Sequence, residues 1–145
     1  MNRMNRTTIV ALLVVAVALL LGSGVVLAKN ITCTGGPCVG TKKADIMIGS
    51  AGTDQIKGRG GADGINGFNG DDTIDGGGGN DSIGDQLGTV PDVDHITGGK
   101  GNDIIDVREG DVNDTPDQVD CGPGTDTVFV DATDTRLNCE ILNPK

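Results

Sequence analysis

Aspartates recur in this sequence at a spacing that could assemble a metal site. Within residues 40–84 an aspartate stands every nine residues, five positions after a glycine, and the series resumes after two longer intervals. The aspartates of this series are Asp45, Asp54, Asp63, Asp72, Asp81, Asp94, Asp103, Asp117 and Asp126. Carboxylates are hard oxygen ligands and glycine turns leave carbonyl oxygens uncovered, a combination that suits Ca²⁺ with its roughly six to eight oxygen ligands. We therefore expect several calcium ions at the turns.

Transition metals and catalytic chemistry find little support in the composition. The chain has one histidine, His95, which falls at an outward-facing place in a predicted strand, and four cysteines that fit disulfides better than a zinc site. Every aspartate of the series is explained by the repeat, and no nucleophile or histidine pair stands apart from it. The sequence therefore predicts that the protein is not an enzyme.

An aliphatic residue follows each of these aspartates two positions later, and a degenerate last unit adds one more. The aliphatic positions are Met47, Ile56, Ile65, Ile74, Ile83, Ile96, Ile105, Val119, Val128 and Leu137. Side chains alternate between the two faces of a strand, so this pattern predicts strands of about three residues with the aliphatic residue inward. Residues 29–145 contain 23 glycines, two phenylalanines and no Trp or Tyr, so this core is thin. Backbone ladders, disulfides or ions must add to its stability.

The units Gly67–Asp75, Gly76–Gly84 and Gly98–Asp106 resemble the RTX, or haemolysin-type, calcium-binding nonapeptide repeat, G-G-x-G-x-D-x-U-x with U aliphatic. The resemblance covers Gly40 to about Leu137. It implies an all-β fold, a parallel β-roll (β-solenoid) with two nonapeptides in each coil. Turns 18 residues apart then stack on the same edge, and insertions of four and five residues are absorbed within turns.

The resemblance also implies which residues hold the ions. Aspartates in stacked turns would share an ion, which pairs Asp54 with Asp72, Asp63 with Asp81, and Asp45 with Asp63. Across the first insertion Asp81 pairs with Asp103 and Asp72 with Asp94, and across the second Asp103 pairs with Asp126. The expected metal ligands are the side chains of Asp45, Asp54, Asp63, Asp72, Asp81, Asp94, Asp103 and Asp126, with the turn glycines Gly49, Gly58, Gly67, Gly76 and Gly98.

Four cysteines allow three disulfide connectivities. Cys33 and Cys38 enclose a tight loop, Thr-Gly-Gly-Pro, that could close locally. In a roll with 18 residues per coil, Cys121 and Cys139 lie side by side in adjacent coils, within the range that a disulfide accepts. We therefore predict that these two disulfides close the two ends of the roll.

The N-terminal segment has the composition of a secretory signal peptide, predicted as residues 1–28. Arg3 and Arg6 precede an uncharged run to Ala28, whose small residues suit cleavage. An uncleaved membrane anchor is the alternative; after cleavage no membrane span is expected. The remaining chain divides into an N-terminal cap at 29–39, the repeat roll at 40–138 and a C-terminal cap at 139–145.

Charge and compartment narrow the function. Residues 29–145 carry 21 Asp and Glu against 9 Lys and Arg, so repulsion disfavours nucleic acid and anionic membrane surfaces. We expect a secreted or cell-surface calcium-binding module that is disordered without calcium and folds as the ions bind. The sequence identifies no protein partner. An ice-binding or adhesive β-solenoid is the alternative function.

Overall fold

The computed structural model describes residues 29–85, 92–108 and 115–142, which form short strands joined by turns and contain no helix. The strands are β1 (Lys29–Thr32), β2 (Gly36–Val39), β3 (Asp45–Ile48), β4 (Asp54–Lys57), β5 (Gly64–Asn66), β6 (Thr73–Gly78), β7 (Ser82–Gly84), β8 (His95–Lys100), β9 (Ile104–Asp106), β10 (Gln118–Asp120), β11 (Thr127–Phe129), β12 (Thr135–Leu137) and β13 (Ile141–Leu142). The predicted signal peptide lies outside the described residues. Within those residues, no helix could cross a membrane.

Odd and even strands form two separate parallel sheets. The first sheet has the order β1-β3-β5-β7-β9-β11-β13, and the second has the order β12-β10-β8-β6-β4-β2. The chain therefore crosses from one sheet to the other after every strand, and each coil contains two strands and two turns. This arrangement confirms the predicted parallel β-roll with two nonapeptides per coil.

The strand register shows how the roll accommodates the two insertions. Ile65 pairs with Ile83, which is 18 residues later, whereas Ile74 pairs with Ile96 and Ile96 with Val119. The inward positions therefore stay in phase across both insertions.

The extra residues fall in the β7–β8 and β9–β10 connections, and both of these run from the first sheet to the second. One edge of the roll, which we call the even edge because it leads into the even strands, therefore carries both insertions. The other, the odd edge, keeps the nine-residue unit.

The core is a column of single aliphatic side chains. Nine of the ten predicted inward residues, from Met47 to Val128, are at most 2% exposed. The column also takes in Val107, which is 1% exposed and stands at the place of the first turn glycine. Each coil thus contributes few apolar groups to the core. This confirms the thin core that the composition predicts.

The prediction for Leu137 is wrong. Its side chain is 65% exposed, and β12 pairs Val119 with Arg136 and Asp120 with Leu137. The reason lies in the preceding turn, where the aspartate that stacks on Asp117 is Asp134, 17 residues later. The register follows the aspartate, so the residue two positions on is Arg136, and the last unit of the second sheet has no inward aliphatic side chain.

Both predicted disulfides are present near the ends of the roll. Cys33 bonds to Cys38 with a Cα–Cα distance of 5.6 Å, and Cys121 bonds to Cys139 with a Cα–Cα distance of 5.2 Å. The segment 29–39 contributes β1 and β2, which pair with β3 and β4. The N-terminal segment is therefore itself a coil of the roll, with its turn closed by a disulfide.

Candidate functional site

The repeated aspartates form two hydrogen-bonded columns, one along each edge. On the odd edge, the backbone N–H of Asp45 donates to Oδ1 of Asp63, and the same bond joins each later pair at 2.8 Å. This odd-edge ladder contains Asp45, Asp63, Asp81, Asp103 and Asp126. The even-edge ladder contains Asp54, Asp72, Asp94 and Asp117, with bonds of 2.8–2.9 Å. All six predicted aspartate pairs therefore lie in adjacent coils.

One oxygen of most ladder carboxylates has no hydrogen-bond partner. Oδ1 accepts the backbone N–H, whereas Oδ2 of Asp63, Asp72, Asp81, Asp94, Asp103 and Asp126 is buried without a donor. Burying an unpaired charged oxygen is costly, and proteins normally compensate it with a donor, a proton or a cation. The unpartnered oxygens of these six aspartates thus point to a cation or a proton that compensates them.

The first glycine of the turn lies in close contact with two oxygens. A Cβ atom at Gly76 would lie 2.5 Å from the carbonyl oxygen of Gly98 and 2.6 Å from Oδ2 of Asp81. A Cβ at Gly98 would similarly meet the Cys121 carbonyl and Oδ2 of Asp103 at 2.6 and 2.7 Å. Only glycine allows so close an approach. Gly58, Gly76 and Gly98 therefore lie against a carbonyl from the next coil and a carboxylate from their own turn, both of which are ligands that calcium prefers. Gly67 instead lies against two carboxylates, those of Asp72 and Asp85.

Burial and mutual repulsion raise the pKa values of the ladder carboxyl groups. Burial raises the pKa of Asp63 to about 6, and the backbone N–H of Asp45 only partly offsets it. Burial likewise raises the pKa of Asp72, Asp81 and Asp117 to about 7, with neighbouring carboxylates adding to the effect. The pKa of Asp103 is raised for the same reasons. The basic side chain of Arg108 pairs instead with Asp106, outside both ladders, at 2.7 Å. Without a cation, burial and repulsion therefore disfavour the charged form of these carboxyl groups.

Asp45 and Asp54, both predicted ligands, differ from the others. The second oxygen of Asp45 accepts a hydrogen bond of 2.5 Å from the Thr41 N–H, and that of Asp54 accepts one of 2.6 Å from the Ser50 N–H. Thr41 and Ser50 stand where the repeat has its second glycine, and the Ser50 hydroxyl also donates to Asp54 at 2.9 Å. These two carboxylates are satisfied within their own turns, so they offer less to an ion than the later members of the ladders.

Two aspartates outside the predicted set join the even edge. Oxygens of Asp85, Asp92 and Asp94 lie within 4.8 Å of one another, and all three side chains are buried. Sequence reasoning named only Asp94. The nine-residue spacing could have indicated the other two. Asp85 stands at the place of the first glycine of its turn, and Asp92, two residues before Asp94, stands at the place of the third glycine.

Comparison with protein families agrees with this geometry. The model of the RTX calcium-binding nonapeptide repeat matches residues 39–67, 48–83 and 92–111, with four copies. The repeats of this chain belong to the RTX calcium-binding nonapeptide family. The RTX match includes most turns of both ladders and leaves residues 84–91, including Asp85, outside. Searches of curated proteins and of solved structures find no match for the chain.

Proposed function

We propose that this RTX protein is a secreted calcium-binding module with a structural or cell-surface role and no catalytic activity, whose roll folds as calcium enters between its stacked turns. The observation that carries the proposal is the row of buried Oδ2 atoms without donors along both ladders. In Asp63, Asp72, Asp81 and Asp103 this oxygen lies against the first glycine of its own turn. Several ions would bind along each edge. An RTX repeat family match and the oxygen-only surroundings support calcium rather than a softer metal.

Coupled folding follows from the balance of core and charge. The apolar core receives one inward aliphatic side chain from most strands, whereas the ladders place buried carboxylates one coil apart. Without cations their repulsion and desolvation oppose folding, and with cations the same oxygens become ligands. Extracellular calcium modules typically bind with dissociation constants of about 10⁻⁴ to 10⁻³ M. Folding would then begin where calcium is abundant.

Export is part of the same proposal. The uncharged N-terminal run after Arg3 and Arg6 supports secretion, and two disulfides suit an oxidising compartment. The absence of catalysis is supported by the hydrogen bonds of the ladder aspartates, because all of them except Asp45 accept a backbone N–H from the neighbouring coil. Carboxylates held in this way are placed to hold ions and strands rather than to transfer protons to a substrate.

Circular dichroism during a calcium titration tests the proposal. The purified protein should gain β signal as calcium rises, and magnesium at equal concentration should have little effect because it favours six close oxygens in strict octahedral geometry. Asp63→Ala combined with Asp81→Ala should abolish or strongly weaken the response, whereas Asp75→Ala, a partly exposed carboxylate outside the ladders, should leave it intact. A spectrum that calcium does not change would overturn the proposal.

A further inference from the structure

The even edge of the roll contains a cluster of three buried carboxylates at the turn where the repeat pattern fails. Asp85, Asp92 and Asp94 are 1%, 4% and 0% exposed, and each contributes an oxygen to a group that spans at most 4.8 Å. This turn has aspartate where neighbouring turns have their first and third glycines. The oxygen atoms that this turn offers to a cation therefore differ from those of the regular turns. A regular turn offers one carboxylate together with glycine carbonyls, whereas this turn offers three carboxylates.

The unpartnered atoms of the cluster identify where a ligand is required. Both oxygens of Asp85 are buried without a hydrogen-bond donor, as are Oδ1 of Asp92 and Oδ2 of Asp94. The other oxygens of the last two are occupied: the Gly70 N–H donates to Oδ2 of Asp92 at 2.6 Å, and the Asp72 N–H donates to Oδ1 of Asp94 at 2.8 Å. Backbone hydrogen bonds thus hold two of the carboxylates in place, and each of the two keeps one oxygen without a donor.

The preceding coil makes room for the third carboxylate. A Cβ atom at Gly67 would lie 2.7 Å from Oδ1 of Asp85, so the missing side chain at Gly67 is what allows Asp85 to turn inward. The backbone of Asp85 is fixed as well, because its N–H donates to the carbonyl of Asp106 in the next coil at 3.1 Å. Burial and the contact with Asp94 raise the pKa of Asp85, which is the effect expected of carboxylates crowded together without a cation.

We propose that Asp85, Asp92 and Asp94 form a further cation site, separate in composition from the regular turn sites, that binds one calcium ion through three carboxylates. The span of the oxygens suits an ion whose oxygen ligands lie about 2.3–2.6 Å away, as those of calcium do. Three carboxylates and no nitrogen or sulfur atom in the cluster exclude a preference for zinc or copper. The inference rests on the proposed function only in taking calcium as the ion.

In this role the site replaces the glycine turn that the first insertion interrupts. The regular repeat reaches an ion with backbone carbonyls because its turn is short and made of glycines. Here four extra residues separate the coils, and Asp85 and Asp92 bring carboxylates to the same edge from both ends of the insertion. A bound ion would tie the two ends of the longer connection together and keep the coils on either side in register.

Counting bound calcium tests the site. We expect the Asp85→Asn/Asp92→Asn double variant, which keeps the side-chain size and removes two charges, to bind one ion fewer than the wild type in equilibrium dialysis. The control Asp75→Asn should bind as many ions as the wild type. An unchanged ion count in the double variant would show that the three carboxylates share protons instead of an ion, and would overturn the inference while leaving the regular sites standing. A wild type that binds no calcium would defeat the proposed function itself.

Terbium provides a second measurement that does not depend on the folding of a variant. Tb³⁺ replaces calcium at oxygen sites and scatters X-rays anomalously, so wild-type crystals grown with terbium should show an anomalous peak between Asp85, Asp92 and Asp94. Peaks at the regular turns with none at this cluster would contradict the inference. Peaks at neither place would count against the proposed function as well.

Discussion

The backbone N–H of Asp63 donates a hydrogen bond of 2.8 Å to Oδ1 of Asp81, one coil further along the roll. The bond leaves the second oxygen of Asp81 buried and free. A single side chain therefore has two tasks: it joins two coils through one oxygen and offers the other to an ion. Structural stability and ion binding cannot be separated at such a residue.

Asp81→Asn tests this double role. The amide can still accept the hydrogen bond from Asp63, but it loses the charge that attracts the ion. Since hydrogen bonds to charged groups contribute about 1.5–3 kcal/mol, the calcium-loaded roll should lose stability of this order, and the calcium concentration at the midpoint of folding should rise. Asp75→Asn, an equal change of charge, should move the midpoint far less. Equal midpoints for wild type and Asp81→Asn in a dichroism titration would count against the role of Asp81.

Gly76→Ala should destabilise the calcium-loaded roll by about 1–3 kcal/mol, the usual cost of forcing an extra carbon into a packed site. The new Cβ would lie 2.5 Å from the Gly98 carbonyl oxygen and enter the space beside Asp81. Gly52→Ala is the matched control, because a Cβ there meets nothing within 4 Å. Urea unfolding in saturating calcium measures both. A Gly76→Ala protein as stable as the Gly52→Ala protein would show that the turn has spare room.

The calcium-free protein should be more ordered in acid than in alkali. The pKa values of Asp72, Asp81 and Asp117 rise from 3.8 to about 7 in the folded state because of burial. The folded state therefore holds more protons than the unfolded state between about pH 4 and pH 7, and its stability falls as the pH rises through that range. Dichroism in calcium-free buffer should show more β structure at pH 5 than at pH 8. The opposite order would mean that these carboxyl groups are not buried.

Ile74→Ala should destabilise the roll by about 2–5 kcal/mol, as for other buried aliphatic truncations. Its side chain is 1% exposed, in a column where no second layer can fill the gap. Leu137→Ala should change stability by less than about 0.5 kcal/mol, because Leu137 is 65% exposed. Thermal unfolding of the Ile74→Ala and Leu137→Ala variants therefore tests the corrected register of β12. A large effect at Leu137 would restore the register expected from the aliphatic pattern.

The repeat made most of the architecture predictable, because aspartate and aliphatic residues in fixed phase specify both the turn and the inward face. The pairing of Cys121 with Cys139 followed from the length of one coil. Leu137 was misplaced because two patterns disagree in the last unit, and the stacking of Asp134 on Asp117 decides the register there. Asp85 and Asp92 were missed because only aspartates at the sixth place of each unit were considered, whereas these two stand at the places of the first and third glycines. The structure brings an oxygen of each within 4.8 Å of an oxygen of Asp94.

Hydrogen exchange at the ladder amides tests the central claim most directly. The N–H groups of Asp63, Asp81 and Asp103 donate to carboxylates one coil away, so their exchange reports whether adjacent coils are joined. At neutral pH these amides should exchange slowly with calcium present and lose that protection when calcium is removed. Equal protection with and without calcium would contradict the claim that ions hold the coils together.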